Sequence, residues 1–207
     1  MKDEIPFDMN DVDPIYFNPK YYDYEPSYTT LHNGTSHFHL RTSILTCETC
    51  GMYLSNEPLP LNNMNATLMI IGESPTDVQF ETSNGEILAT ALKQVHVNFD
   101  DIYLTAARKS VETQRVCDHH LSSELIVVHP LMIIALGYEV GAAITDHVQA
   151  PGQGFTLSNG SDLLVTNSLS EILQSPSLYQ PFINHLQIAC NQWEIRKQQR
   201  SLSYERV

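Results

Sequence analysis

The chain has 207 residues, of which 24 are acidic and 11 are lysine or arginine, so its formal net charge is −13 at pH 7; this length is enough for one domain with a sizeable core. Because a protein that grips DNA through the phosphates is expected to be basic, the charge disfavours DNA and favours a protein partner or a DNA-mimicking surface. The sequence has no apolar run of ~18 residues and no signal-peptide pattern, so we expect a soluble, cytoplasmic protein that does not enter a membrane.

Residues 1–45 differ in composition from the rest of the chain. This arm contains seven aspartates and glutamates, five tyrosines and four prolines. The prolines disfavour a helix, and the tyrosines are amphipathic side chains suited to contact surfaces. We interpret the arm either as an extended segment that lies across the domain or as an acidic docking segment for a partner, and the two interpretations are compatible. The domain itself is predicted at residues 46–200, followed by a tail at 201–207.

Two cysteines, Cys47 and Cys50, open the predicted domain in a Cys-x-x-Cys turn. Such a turn directs two thiolates at one centre, which suits a metal in a reducing compartment better than a disulfide framework. Cys117 comes later in the chain, beside His119 and His120, and these imidazoles are suitable to complete a metal shell. The alternative interpretation is that the cysteines are buried free thiols.

The first core strand is predicted at residues 68–71, an unbroken apolar run that is typical of a buried parallel strand. A turn over residues 72–75 follows, and a helical pattern of apolar residues begins near Asn84. Ligands of open α/β sheets bind at this carboxyl end of the strands. A simple βα unit with a tight loop is the alternative. Later in the chain we predict strands at 101–105 and 163–166 and helices at 121–128 and 181–199.

Several short motifs follow one another along this part of the chain. Residues 72–75 read Gly-Glu-Ser-Pro, Phe80 and Gly85 follow, and residues 130–137 read Pro-Leu-Met-Ile-Ile-Ala-Leu-Gly. With these motifs the chain resembles the uracil-DNA glycosylase superfamily, especially its family-4 branch, which carries an iron–sulfur cluster. The resemblance spans residues 47–186. It implies a three-layer α/β/α sandwich with a parallel four-stranded core sheet, in which residues 130–137 form a strand and the helix at 138–144 follows it.

The same resemblance implies a metal site. Cys47, Cys50 and Cys117 match the first, second and fourth of the four cysteines that bind the family's cluster, and Ser110 stands in place of the third. A cluster with one unusual ligand and a zinc site completed by His120 are both compatible with these residues.

The resemblance also implies a base-binding site, with Glu73 and Ser168 as its catalytic residues. Ala106 stands where active members have an asparagine that reads the uracil edge, and Ser168 stands where they have a histidine that stabilises the departing uracil anion. Both changes remove the required chemistry, so most or all base excision is expected to be lost. The implied substrate-binding residues are Gly72, Ser74, Pro75, Phe80, Ala106 and Ser170.

We therefore expect a glycosylase-like domain that has lost base excision and acts as a DNA- or partner-binding accessory module in DNA replication or repair. Its expected partner is a replication or repair protein such as a DNA polymerase; for a viral protein the location would be the host cytoplasm. One alternative is an active glycosylase of divergent specificity, in which Glu73, Ser168 and Ser170 carry residual chemistry. A second is an acidic inhibitor or DNA mimic that binds a DNA-processing protein.

Overall fold

The computed structural model describes residues 18–22, 37–48, 63, 65–111, 117–148 and 150–204. Over these residues the chain forms a six-stranded sheet with helices on both faces. The strands are β1 (Asn18–Tyr22), β2 (Leu68–Gly72), β3 (Ile102–Ala106), β4 (Met132–Leu136), β5 (Gly154–Leu157) and β6 (Asp162–Thr166). The α-helices are α1 (His37–Leu45), α2 (Pro75–Val78), α3 (Ser83–Gln94), α4 (Asp118–Val128), α5 (Tyr138–Ile144), α6 (Leu169–Gln174) and α7 (Tyr179–Tyr204), and short 3-10 helices cover Phe99–Asp101 and Pro176–Leu178.

The strand order is β1-β5-β6-β4-β2-β3. Strands β3, β2, β4 and β6 run parallel to one another, whereas β5 runs antiparallel to β6 and β1 runs parallel to β5. The predicted α/β class is therefore confirmed. The predicted count of four strands is not, because β5, which pairs with β6, and the edge strand β1 extend the sheet to six.

The central strands are built from short apolar runs. Every residue of β2 and of β4 is buried, as expected for parallel strands that are covered on both faces. Side chains of a strand alternate between its faces, so Ile70 packs into one core cluster and Ile71 into the other.

The helices form the two outer layers. On one face, α3, α6 and α7 pack against the sheet through residues such as Leu92, Ile172 and Phe182. On the other face, α4 and α5 pack through residues such as Leu121 and Val140. Within the described part of the chain, no helix is both long enough and apolar enough to cross a bilayer.

The predicted acidic arm contributes two elements to this domain. Strand β1 lies at the edge of the sheet, where Pro19 is tolerated because an edge strand leaves one side of its backbone unpaired. Helix α1 begins at His37, inside the predicted arm, and buries Leu40 and Ile44 in a cluster with Cys117, beside α4. The other residues of 1–36 and the end of the predicted tail, 205–207, lie outside the described residues.

Candidate functional site

The candidate site lies at the carboxyl ends of the parallel strands. Beside β2, the order in which the chain adds strands to the sheet changes direction. From β2 the chain moves outward to β3, and it then returns to the other side of β2 as β4. Such a switch point leaves a crevice outside the strand ends, which is where open α/β sheets bind ligands. Glu73 follows β2 at this point, and Gly137 follows β4.

Gly137 makes room there for the Glu73 carboxyl group. Its φ is +108°, and a Cβ at this position would lie 2.3 Å from Glu73 Oε1 and 3.1 Å from the Cβ of Ser168. A residue with a side chain would therefore be strained and would collide with the carboxyl group. The two predicted catalytic residues, Glu73 and Ser168, thus lie around the same glycine at the end of the sheet.

The environment of Glu73 favours its protonated form. Burial, together with the nearby carboxylates of Asp77 and Glu139, raises the pKa of Glu73 to about 7, while Arg108 opposes this shift. The backbone N–H and the Nε of Arg108 each donate to the Glu73 carbonyl oxygen, at 3.1 Å. A carboxyl group with a pKa near 7 can both release and take up a proton at neutral pH, which is the property of a general acid or base.

Asp77 fixes the loop that carries Glu73. Its buried carboxylate accepts hydrogen bonds from the backbone N–H of Glu73 at 2.7 Å, from that of Ser74 at 3.1 Å and from Asn84 Nδ2 at 2.8 Å. A Cβ on Gly72 would lie 2.6 Å from the Cβ of Asp77, so Gly72 lets the carboxylate turn back onto the loop. These two residues therefore shape the backbone at the site.

The predicted substrate-binding residues Ser74 and Pro75 form the beginning of α2. Ser74 is the N-cap and the buried Pro75 occupies the first turn, a position that suits proline because its missing N–H has no helical partner. The sequence Ser-Pro-Thr-Asp at 74–77 matches the pattern of a capping box. That pattern was the signal for Asp77, which sequence analysis had not singled out.

Ser168 serves as the N-cap of α6. Its Oγ accepts from the N–H of Glu171 at 3.2 Å, and its own N–H donates to Glu171 Oε2 at 2.9 Å. The side chain is buried, and its hydroxyl oxygen is engaged in holding the helix. Ser170, another predicted contact residue, accepts a hydrogen bond from Asn84 Nδ2 at 3.3 Å and so links α6 to α3.

Ala106 and Phe80, the remaining predicted substrate contacts, are packing residues. Ala106 is buried at the end of β3, opposite Gly72 on β2, and belongs to the core cluster beneath α3 and α7. Phe80 is partly buried against the same cluster, and its ring lies 4.9 Å from that of Phe99 at an angle of 55°. The methyl group of Ala106 has no polar atom with which to read a base.

A second constellation lies between α1 and the start of α4. The ligand atoms of Cys47, His119 and His120 all lie within 4.8 Å of one another, a group suited to hold a metal ion. Cys47 Sγ is 3.9 Å from His119 Nε2, and the two imidazole rings are 3.9 Å apart between centroids. Burial and the neighbouring His119 and Lys109 lower the pKa of His120 to about 4, so its ring is neutral at pH 7, as metal binding requires.

The predicted metal ligands are only partly brought together. Cys47 and His120 belong to the group and His119 joins them. Cys117 is not a member of the group; its buried side chain packs with Leu40 and Ile44 instead. Cys50 lies outside the described residues.

Comparison of the sequence with models of protein families gives no match, and comparison with curated proteins gives none. The uracil-DNA glycosylase resemblance therefore stays a prediction based on the motifs. What can be concluded about function has to come from the chemistry of the two constellations.

The surface around the first constellation combines negative charge with exposed apolar side chains. Val111, Tyr138 and Leu173 are 50%, 52% and 54% exposed and lie on the segments that follow β3, β4 and β6. Glu139 and Glu171 are exposed on two of the same segments. We call these five residues, together with Glu73, the carboxyl-edge surface.

Proposed function

We propose that this chain is a uracil-DNA glycosylase-like domain that does not excise bases and acts as an accessory module that binds a protein of DNA replication or repair. In this proposal the parallel strands β3, β2, β4 and β6 correspond to the superfamily's core sheet. The observation that carries the proposal is the state of Ser168 and Ala106. The hydroxyl of Ser168 caps α6, and the methyl group of Ala106 packs into the core.

Base excision needs groups that this site lacks at those two positions. A flipped base is held by hydrogen bonds to its edge, and the departing anion needs a donor to stabilise it. Ala106 offers no hydrogen bond, and Ser168, whose Oγ accepts from the N–H of Glu171 as the cap of α6, carries a neutral hydroxyl where the family has a histidine. Because the loss of one such donor commonly slows catalysis by about 10²–10³-fold, the loss of both groups leaves little activity.

The charge and surface chemistry favour a protein as the ligand. Glu139 and Glu171 give the carboxyl-edge surface a negative charge, which repels the phosphates of DNA. Tyr138 and Leu173 add exposed apolar area of the kind that protein interfaces bury. The partner that fits is a protein whose surface is basic and carries apolar side chains.

A paired comparison of variants tests this proposal. The tagged full-length chain is used to capture proteins from the cells that express it, and the captured proteins are quantified by mass spectrometry. The double variant Tyr138→Ser, Leu173→Ser is expected to lose a DNA replication or repair protein that the wild type retains. Leu202→Ser is the matched control because Leu202, on the last turns of α7, is 55% exposed but lies outside the carboxyl-edge surface. Equal capture by the double variant and the control would refute the proposal.

One observation favours the alternative of an active glycosylase with divergent specificity. Glu73 lies at the switch point with a pKa of about 7, which suits a residue that activates a water molecule. Under this alternative, the wild type excises bases and the Glu73→Gln variant does not. Under our proposal there is no excision to abolish.

We also propose that Cys47, His119 and His120 hold a metal in this domain. The group offers one sulfur and two nitrogen donors, and soft or borderline metals prefer such donors. The sequence leaves two alternatives for the metal, zinc and an iron–sulfur cluster.

A further inference from the structure

The carboxyl group of Glu73 has no hydrogen-bond partner at the end of β2. The backbone N–H and carbonyl oxygen of this residue are bonded to Asp77 and Arg108. Among the described residues, however, no group donates to the side chain or forms an ion pair with it. Burial takes water away from a polar group and normally supplies a protein partner in its place. The half-buried carboxyl group is therefore able to bind a group that comes from outside the domain.

Asn167 is a second polar side chain without a partner at the same edge of the sheet. It directly follows β6 and is 9% exposed, and its amide has no hydrogen-bond partner among the described residues. An amide that is enclosed to this degree usually bonds to another group of the protein. One carboxyl group and one amide, both without partners, thus lie at the ends of β2 and β6.

Both groups lie beside Gly137, which follows β4, the strand between β2 and β6. A Cβ on Gly137 would lie 2.3 Å from Glu73 Oε1. The two residues that flank Asn167 also meet this glycine. The Thr166 carbonyl oxygen accepts from the Gly137 N–H at 3.0 Å, and the Cβ of Ser168 lies 3.1 Å from the same Cβ position.

The direction of the Asn167 side chain follows from the strand that it continues. Thr166 faces α7, where its Oγ1 lies 2.9 Å from His185 Nδ1. Because successive side chains of an extended chain point to opposite faces, Asn167 points toward the layer of α5. The Glu73 carboxyl group reaches the same place, since it lies against Gly137, the N-cap of α5. One ligand can therefore contact both groups.

The charges around this position favour a cation as the ligand. Besides burial, three neighbouring carboxylates raise the pKa of Glu73, and they belong to Asp77, Glu139 and Glu171. Arg108 acts in the opposite direction. A bound positive group would offset the excess of negative charge, whereas an anion would add to it.

The shape of the site favours a guanidinium group over an ammonium group. Arginine carries five N–H donors in one plane, which suit a carboxylate and an amide oxygen that lie side by side. Tyr138 directly follows Gly137 and is 52% exposed, so its ring is available to stack on a planar cation. Lysine carries a compact charge that does not make the same planar contacts.

From these observations we infer that Glu73, Asn167 and Tyr138 form a docking site for one arginine side chain of the partner protein. The Glu73 carboxylate and the Asn167 amide oxygen accept hydrogen bonds from the guanidinium group, and the Tyr138 ring stacks on it. The inference rests on the proposed protein-binding function and specifies the residue type that the partner contributes. Arginine is also among the residues that most often dominate the binding energy of protein interfaces.

Three small probes test the site on the isotopically labelled full-length protein. Nα-acetyl-arginine amide is titrated at pH 8, and the backbone amide signals of Glu73, Gly137 and Tyr138 are followed by NMR. We expect saturable shifts of these signals. The citrulline analogue, which has nearly the same shape but no charge, and the lysine analogue should each bind about tenfold more weakly, which corresponds to one lost hydrogen bond.

The binding of the arginine probe should depend on pH. Burial and the three neighbouring carboxylates raise the pKa of Glu73 to about 7, so its ionised fraction is about tenfold smaller at pH 6 than at pH 8. Because the ionised form is the one that binds the cation, the apparent affinity should fall by about tenfold over the same range. An affinity that is equal at the two pH values would contradict the role of Glu73.

Variants assign the contacts to individual residues. Glu73→Gln and Asn167→Ala should lose the saturable shifts, and Tyr138→Ser should weaken binding by about two- to fivefold. Glu86→Gln, at an exposed carboxylate on α3, should bind as the wild type does. Circular dichroism identifies any variant that has unfolded, and the comparison of the three probes on the wild type stands independently of the variants.

The inference and the proposed function can fail separately. No saturable shifts with the arginine probe, equal binding of the three probes, or binding that survives Glu73→Gln would overturn the arginine site. Base excision by a wild type that binds the arginine probe as expected would refute the proposed function and support the site.

Discussion

Glu73 and Ser168 lie around the same glycine at the strand ends but differ in how their side chains are held. Glu73 keeps a carboxyl group at the switch point of the sheet, with its pKa raised to about 7 by burial and by neighbouring carboxylates. Ser168 follows β6, which is separated from β2 by β4, and its Oγ is engaged as the acceptor of a helix cap. Glu73 is therefore poised to exchange a proton, whereas Ser168 is held as a helix cap and carries no imidazole with which to stabilise a leaving anion.

The raised pKa of Glu73 predicts a pH dependence of stability. Since its ordinary pKa is 4.5 and its folded pKa is about 7, the folded protein binds more protons than the unfolded chain between these values. Glu73 therefore costs stability progressively as the pH rises through this window, and its cost is absent below it. Glu73→Gln should raise the melting temperature relative to wild type increasingly from pH 4.5 to pH 7, with no further gain above.

Thermal unfolding at a series of pH values, scanned on the wild type and the variant, measures this effect. Glu86→Gln serves as the control because Glu86 is exposed on α3 and is not among the charges that shift the pKa of Glu73. Parallel curves for wild type and Glu73→Gln would show that Glu73 titrates with its ordinary pKa.

At the residue scale, the sequence predicted that Glu73 and Ser168 lie in one site, but it did not predict what each side chain does. Glu73 and Ser168 were predicted from motif register, and they do meet around Gly137. The shift of the Glu73 pKa was not predictable, because it depends on burial in the folded structure and on Asp77 and Glu139, which lie on two different helices. Ser168 was readable as a cap, since Ser-Leu-Ser-Glu at 168–171 matches a capping box.

At the scale of elements, a buried ion pair joins β3 to α4. Lys109, just beyond β3, pairs with Glu124 on α4 and also donates to Thr105 Oγ1 at 2.7 Å and to the Ala106 carbonyl oxygen at 2.6 Å. Both charged side chains are fully enclosed. Removing one partner of such a pair leaves an uncompensated buried charge, which is far more costly than losing an exposed pair.

We predict that Lys109→Met destabilises the fold by about 3–5 kcal/mol. Adding Glu124→Gln should recover part of this loss, because glutamine is neutral and its carbonyl still accepts from Tyr103 and Thr105. Lys197→Met is the control, since Lys197 and Glu194 form an exposed pair on α7, and such pairs contribute about 1 kcal/mol or less. Denaturant unfolding measures all three; a Lys109→Met cost no larger than that of Lys197→Met would contradict the role of the buried pair.

The elements predicted from sequence were those with a strong apolar pattern. Strands β2 and β4 are unbroken apolar runs, and α7 has apolar residues along most of its length. Strand β5 was missed because Gly-Phe-Thr-Leu is short and carries no such pattern. Helices α2 and α6 were missed as well; each is at most six residues long and is specified mainly by its capping residues.

At the scale of the whole molecule, the N-terminal segment shares its core with the domain. Helix α1 packs beside α4 through Leu40 and Ile44, although composition had assigned residues 1–45 to a separate arm. The composition of residues 1–45 is dominated by the acidic and proline-rich residues before α1. It therefore gave no indication that this short helix has apolar side chains on one face. Whether the rest of the arm binds a partner stays a prediction.

A matched pair of leucines tests how much α1 contributes. Leu40 is 1% exposed and Leu45 is 37% exposed on the same helix. We predict that Leu40→Ala lowers the free energy of unfolding by about 2–5 kcal/mol, whereas Leu45→Ala changes it by about 0.5 kcal/mol or less. If chemical denaturation gives the two variants equal stability, α1 does not belong to the folded core.

The central claim is that the domain keeps a glycosylase-like fold without base excision. Its most direct test is the formation of abasic sites on single-stranded and duplex oligonucleotides that contain one uracil, under single-turnover conditions with the full-length protein in excess. We predict no abasic sites above the background of the oligonucleotide alone, and the same result for Glu73→Gln. Uracil-dependent abasic sites formed by the wild type and abolished by Glu73→Gln would contradict the claim and would establish Glu73 as a catalytic residue.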